Sequence, residues 1–163
     1  MEVMIHRAVE TGLQGITFTE HLDPDYPVTP DNLDFSLDIP AYKEKLAELS
    51  DIYKDKIQVR FGIELGLQMH LGEYFNSLLS QTPFDFVIGS SHLVHGYDPY
   101  YPEFFEGRKE FLCYMEYFES TLKQFPHMTD LMFTDILIML SVMVLTRTGN
   151  ILTDGIKIFW MRF

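Results

Sequence analysis

The sequence predicts an α/β fold in which parallel strands alternate with helices. Three apolar runs, Ile16–Thr19, Ile57–Ile63 and Phe84–Gly89, read as buried strands. Segments with helical spacing of apolar residues separate them. Each run also leads into a metal-capable side chain: His21, Glu64 or His92. Parallel α/β folds collect ligands and catalytic groups at such carboxyl ends.

Taken in order, Met1–Thr11 reads as a helix with Met1, Met4, Ile5 and Ala8 on one side. Glu2, Arg7 and Glu10 occupy the other. Gly12 closes this helix and Gly15 opens the first strand. A β-then-α pattern that begins on a helix leaves one strand expected before Met1. Leu22–Asp38 is a long acidic loop with Pro24, Pro27 and Pro30, of the kind that is usually functional or mobile. Asp38 is placed to cap the next helix, and Pro40 is tolerated in its first turn. Tyr42, Leu46, Leu49 and Tyr53 then form one apolar face.

The second strand exits through Glu64-Leu65-Gly66. A third helix is expected over Leu71–Leu79, with Leu71, Phe75, Leu78 and Leu79 inward, and Pro83 ends the connection to the third strand. An aromatic loop, Tyr97–Pro102, follows His92. Phe111, Met115, Phe118 and Leu122 mark a fourth helix by the same spacing. The character changes at Met128, so the chain divides into residues 1–127 and an apolar tail, 128–163. Within that tail Leu131–Leu145 reads as a buried strand or helix. It is too short and too interrupted, by Thr134, Asp135 and Ser141, for a membrane span of about 20 residues.

At 163 residues there is chain enough for one domain, and 47% apolar residues supply a core. The net charge is −12, and no Lys or Arg falls between Arg7 and Lys43. That argues against nucleic acid as a partner and suits cation binding. Cys113 is the sole cysteine, so there is no disulfide framework and no thiolate zinc site. Its neighbours Phe111, Leu112 and Met115 suggest a buried thiol. The amino terminus carries Glu2, His6 and Glu10 in place of an apolar signal core. The expected compartment is the cytoplasm.

Two imidazoles and a carboxylate are the usual ligand mix for Zn, Mn or Fe. His21, Glu64 and His92 are therefore the candidate metal ligands, although a lone His after a strand is commonly structural. His95 has two readings, a substrate contact or a polar loop residue. Glu20 has two as well, an outer partner that orients His21 or an exposed capping carboxylate. Arg108 is either a phosphate contact or a solvated helix start. His6 and His70 read as surface residues. No Walker loop, dinucleotide fingerprint or Gly-x-Ser-x-Gly elbow is present.

Thr19-Glu20-His21, Gly62-Ile63-Glu64-Leu65-Gly66 and the run from Phe84 to Ser90-Ser91-His92 resemble successive motifs of the polymerase-and-histidinol-phosphatase (PHP) superfamily. The continuation Leu93-Val94-His95-Gly96, with aromatic pairs after it, resembles the histidinol-phosphatase branch. The likeness covers roughly Met1 to His127. It implies part of a distorted seven-stranded (β/α) barrel with two or three metals at the strand ends. It also implies that Glu64 bridges two ions, that His92 ligates one of them and that His21 ligates a further ion. The implied reaction is metal-dependent hydrolysis of a small phosphorylated substrate, L-histidinol phosphate, in histidine biosynthesis. The nucleophile would be a metal-bound water, and no catalytic side chain is assigned.

The family's His-x-His strand would precede Met1, and its Gly-His-Leu-Asp strand and late Asp-x-His do not appear. Permissible codons for Asp130–Met143, read two bases later, give Phe-Asn-Val-Tyr-Gly-His-Leu-Asp-Tyr-Val-Val-Arg-Tyr. The expectation is thus a fragment whose tail is out of frame and whose turnover is slight. A non-catalytic, metal-binding piece that self-associates through exposed sheet edges is the alternative reading. Another phosphoesterase of the superfamily is a further one.

Overall fold

The protein is described by a computed structural model over residues 1–28, 31–124 and 133–135. Glu2–Glu10 forms α1, which buries Ile5 and Ala8. Gly15–Leu22 forms β1, Ile39–Tyr53 α2, Gln58–Gly66 β2 and Gly72–Gln81 α3. Phe86–Ser90 then forms β3, Glu110–Gln124 α4 and Phe133–Asp135 β4. The four strands make one sheet in chain order, and every neighbouring pair is parallel.

Side-chain alternation gives the sheet two unlike faces. Phe18 from β1, and Val59 and Phe61 from β2, join Ile5, Tyr42, Leu46, Leu49, Tyr53 and Ile57 in one core. Leu22, Ile63, Leu65 and Val87 join Leu67, Leu71 and Phe75 in a second core. Each fully buried Leu, Ile or Phe in these layers contributes about 1.5–3 kcal/mol. Thr17, Thr19 and His21 of β1, and Gly62, Glu64 and Gly66 of β2, point to the opposite face. Tyr42 ties α2 to the sheet, its hydroxyl lying 2.9 Å from the Phe18 carbonyl and 3.0 Å from that of Gly62.

The α2 boundary follows its sequence signals. Asp38 accepts a hydrogen bond from the Ala41 amide at 3.0 Å, with Pro40 in the first turn. Tyr42, Leu46, Leu49 and Tyr53 are all buried, as their spacing predicts. The strands differ more from expectation. β1 runs on to Leu22 and β2 to Gly66, so His21 and Glu64 are ladder residues. The pairing of His21 with Glu64 across β1 and β2 extends the ladder this far. Gly12 and Gly96 take positive φ, as do Asp25, Asn32 and His95.

The fourth helix forms where its spacing puts it but turns a different face inward. Cys113, Tyr117, Thr121 and Gln124 are buried, whereas Phe111 and Leu122 are 69% and 68% exposed. The cause is a short 3₁₀ turn at Pro102–Phe105. Its Phe104 and Phe105 pack on Cys113 and Tyr117 and so set the rotation of the helix. Cys113 is buried as expected, and its thiol faces the Phe104 carbonyl at 3.7 Å. The tail reading from Met128 lies outside the described residues, apart from β4. Among the described residues no helix is long and apolar enough to cross a membrane.

Candidate metal centre

The parallel register gathers the candidate ligands at one end of the sheet. His21 stands directly opposite Glu64, and Gly66 opposite Ser90. His92 follows β3 by two residues and leans back over the strand ends. Its ring stacks on that of His21, with centroids 5.0 Å apart and planes at 29°. His21, Glu64 and His92 are thus brought together from three separate strand connections.

Carboxylates flank the stacked rings on both sides. Glu64 Oε1 lies 3.0 Å from His92 Nε2, and Glu64 Oε2 lies 3.5 Å from His21 Nε2. Asp23 takes the other side: Oδ1 is 2.6 Å from His92 Nδ1, and Oδ2 is 3.5 Å from His21 Nδ1. The Ser90 hydroxyl donates to Glu64 Oε1 at 2.8 Å. Asp23 and Ser90 were not singled out by sequence reasoning. The available signal was alternation, because Asp23 lies two residues past His21 and an extended chain returns it to the same side.

Asp23 is held from both its backbone and its surroundings. Its amide donates to the Phe35 carbonyl at 3.1 Å, and its own carbonyl accepts from the Tyr26 amide at 3.3 Å. A Cβ on Gly66 would fall 1.9 Å from Asp23 Oδ1, so only glycine leaves room for this carboxylate. Phe35 lies against His21 with centroids 5.3 Å apart, and Tyr26 packs edge-on to Phe35.

Burial and partner charge act in opposite directions here. Burial raises the pKa values of Asp23 and Glu64, but contact with the two imidazoles outweighs it and holds both below the usual carboxylate range. Burial would lower the pKa of His92, yet Asp23 and Glu64 raise it to about 10. Without a metal, His92 is therefore an imidazolium clamped between two carboxylates.

The donor set suits a divalent ion. Ligand atoms of His21, Asp23 and His92 all lie within 4.8 Å of one another. Buried His21 Nδ1 and Asp23 Oδ2 have no hydrogen-bond partner in the described structure. Two imidazoles with buried carboxylates match the ligand preference of Zn, Mn or Fe.

The other candidates are placed elsewhere. His95 is 73% exposed, and its Nε2 faces Glu116 at 3.3 Å. Arg108 pairs with the same Glu116. Glu20 precedes His21 in β1 and so faces the opposite side of the sheet, toward Tyr42. His70 pairs with Asp25 at 3.1 Å on the surface, and His6 meets the Tyr53 hydroxyl at 3.0 Å.

A family model for the PHP domain matches residues 1–145. The chain belongs to the PHP domain family. A histidinol-phosphatase of Lactococcus lactis subsp. lactis is 35% identical over 96 residues, covering 59% of this chain and 34% of that protein. A probable histidinol-phosphatase of Clostridium acetobutylicum is 30% identical over 121 residues, covering 72% of this chain and 44% of that protein. A crystal structure of the L. lactis histidinol phosphate phosphatase with zinc, L-histidinol and phosphate superposes with a TM-score of 0.66 at 33% identity. That superposition covers 72% of this PHP chain and 44% of the crystallised one. The chain thus spans less than half the length of the relatives it matches.

Proposed function

We propose that His21, Glu64 and His92 hold a divalent metal, and that the chain carries part of a histidinol-phosphatase centre. The parent reaction is hydrolysis of L-histidinol phosphate to L-histidinol and phosphate, a step of histidine biosynthesis in the cytoplasm. The supporting observation is the convergence of these three side chains at the carboxyl ends of adjacent parallel strands. It occurs in a chain similar to a phosphatase crystallised with zinc, L-histidinol and phosphate.

A bound divalent ion supplies Lewis acidity that activates water and offsets charge on phosphoryl oxygens. The protein's own residues prepare that chemistry. Glu64 presents an anionic carboxylate fixed by Ser90. His92, held between Asp23 and Glu64, would offer an imidazole nitrogen to the ion. Phe35 packs against the His21 ring, and Tyr26 packs edge-on to Phe35. His95, on a backbone with φ 50°, projects from the loop after His92 and is the proposed substrate contact.

Elemental analysis of purified protein tests the metal centre. Bound Zn, Mn or Fe is expected in the parent chain and absent from Glu64→Ala and His92→Ala. A folded parent chain without stoichiometric metal rejects the reading. Turnover of L-histidinol phosphate, compared with generic phosphomonoesters and single-stranded DNA, tests the substrate assignment.

A second reading, a self-associating and non-catalytic metal binder, is favoured by one observation. Among the described residues β1 pairs on one side only, with β2. An unpaired strand edge is a template for another chain. Concentration-dependent association without turnover supports this reading; a monomer across the concentration range removes it.

A further inference from the structure

We propose that the exposed apolar face of α4 is the docking surface for the chain's own residues 136–145. The inference is independent of the metal centre.

Two apolar stripes run along α4, and the described structure buries one of them. Cys113 and Tyr117 pack on the 3₁₀ turn, whereas Phe111, Leu112, Met115, Phe118 and Leu122 stay exposed. Phe111, Met115, Phe118 and Leu122 follow one another at spacings of three and four, so they form one continuous surface. A single exposed apolar side chain is ordinary, but a contiguous patch of five marks a contact.

Chemistry, place and charge point to the same occupant. Residues 136–145 carry Ser141 as their one polar side chain, and so match an apolar surface. Because β3 and β4 are parallel, α4 between them carries the chain back from the carboxyl end of the sheet to the amino end. Residue 136 follows Asp135, the last residue of β4, and thus starts at the end of the sheet where α4 begins. Elements consecutive in sequence are usually neighbours in space. Ten residues reach at most about 33–36 Å. That exceeds the length of α4, about 22 Å at 1.5 Å per residue.

On α4, Glu110, Glu116 and Glu119 outnumber Lys123, while beyond residue 145 Arg147, Lys157 and Arg162 outnumber Asp154. The tail therefore brings basic groups toward an acidic helix. A second copy would instead set that acidic helix against itself, in a chain of net charge −12.

Peroxide oxidation of methionine in the full chain, read by mass spectrometry, tests the proposal. Met69 and Met115 are 56% and 42% exposed among the described residues, so an open α4 face would let both react at similar rates. With the tail docked, Met115 should react about tenfold more slowly than Met69 at every protein concentration. Joint substitution of Ile138→Asp and Leu140→Asp should bring Met115 up to the Met69 rate, with circular dichroism unchanged. Equal rates in the parent chain overturn the proposal, as does protection that survives the tail substitutions. Protection that grows with protein concentration assigns the face to a second copy and also overturns it. Trypsin cleavage after Arg147 gives an independent reading. Leu122→Gln, at a 68% exposed position, should speed that cleavage. Equal cleavage in parent and variant rejects docking.

Discussion

At the scale of single residues, the clamp around His92 fixes how the centre responds to pH. The folded-state pKa of His92 is raised from 6.5 to about 10. Its stabilisation of the metal-free fold is full below pH 6.5 and is lost as pH climbs through about 10. Asp23 and Glu64 run the other way. Their contribution is present above their ordinary values of 3.8 and 4.5 and disappears as pH falls through their lowered folded values. The melting temperature of metal-free protein should therefore fall toward both acid and strongly alkaline pH. Metal entry must also displace the His92 proton, so affinity should rise about tenfold per pH unit between roughly pH 7 and 9. Calorimetric titration across that window checks the slope, and a flat profile rules out a charged His92 in the empty site.

At the scale of elements, α2 and α4 show how far local signals reach. Asp38→Ala should destabilise the protein by about 1 kcal/mol, read as a shift in thermal or urea midpoint, because Asp38 caps α2 through the Ala41 amide. Leu49→Ala should cost about 2–5 kcal/mol, since Leu49 is fully buried in the first core. A loss within 0.5 kcal/mol, typical of surface changes, would mean that α2 is not seated on the sheet as described. The cap, the proline and the apolar face of α2 are all local, and all were legible in the sequence. The strand cores, and the convergence of His21, Glu64 and His92, were legible for a similar reason: alternation and carboxyl-end position are short-range patterns. The inward face of α4 was not. Its apolar stripe of Phe111, Met115, Phe118 and Leu122 competes with a second stripe through Cys113 and Tyr117. Contact with Phe104 and Phe105, which spacing within the helix does not encode, selects the second stripe. Asp23 was missed because its place beside the two rings depends on the space left by Gly66, on a different strand.

At the scale of the whole molecule, the centre exists only when β1, β2 and the segment after β3 are in register. Metal binding and global folding should therefore be coupled. Metal at about 100 times its dissociation constant should add about 2.7 kcal/mol of stability, and chelation should remove it. Chelator-induced lowering of the melting temperature, abolished in His92→Ala, is the expected observation. A parent chain that binds metal without any such shift would mean the ion sits on a surface that unfolded chain shares. The loops above the centre are joined as well. Tyr26 bonds to Asp98, and Tyr101 bonds to Asp31 at 3.0 Å, so each of two loops gives the other one phenol and one carboxylate. This reciprocity has a kinetic consequence. Neither loop can swing away without breaking both bridges, so the two should open as a single event with one rate. Protease nicking at either loop should then speed up together when Tyr26→Phe or Tyr101→Phe removes one bridge.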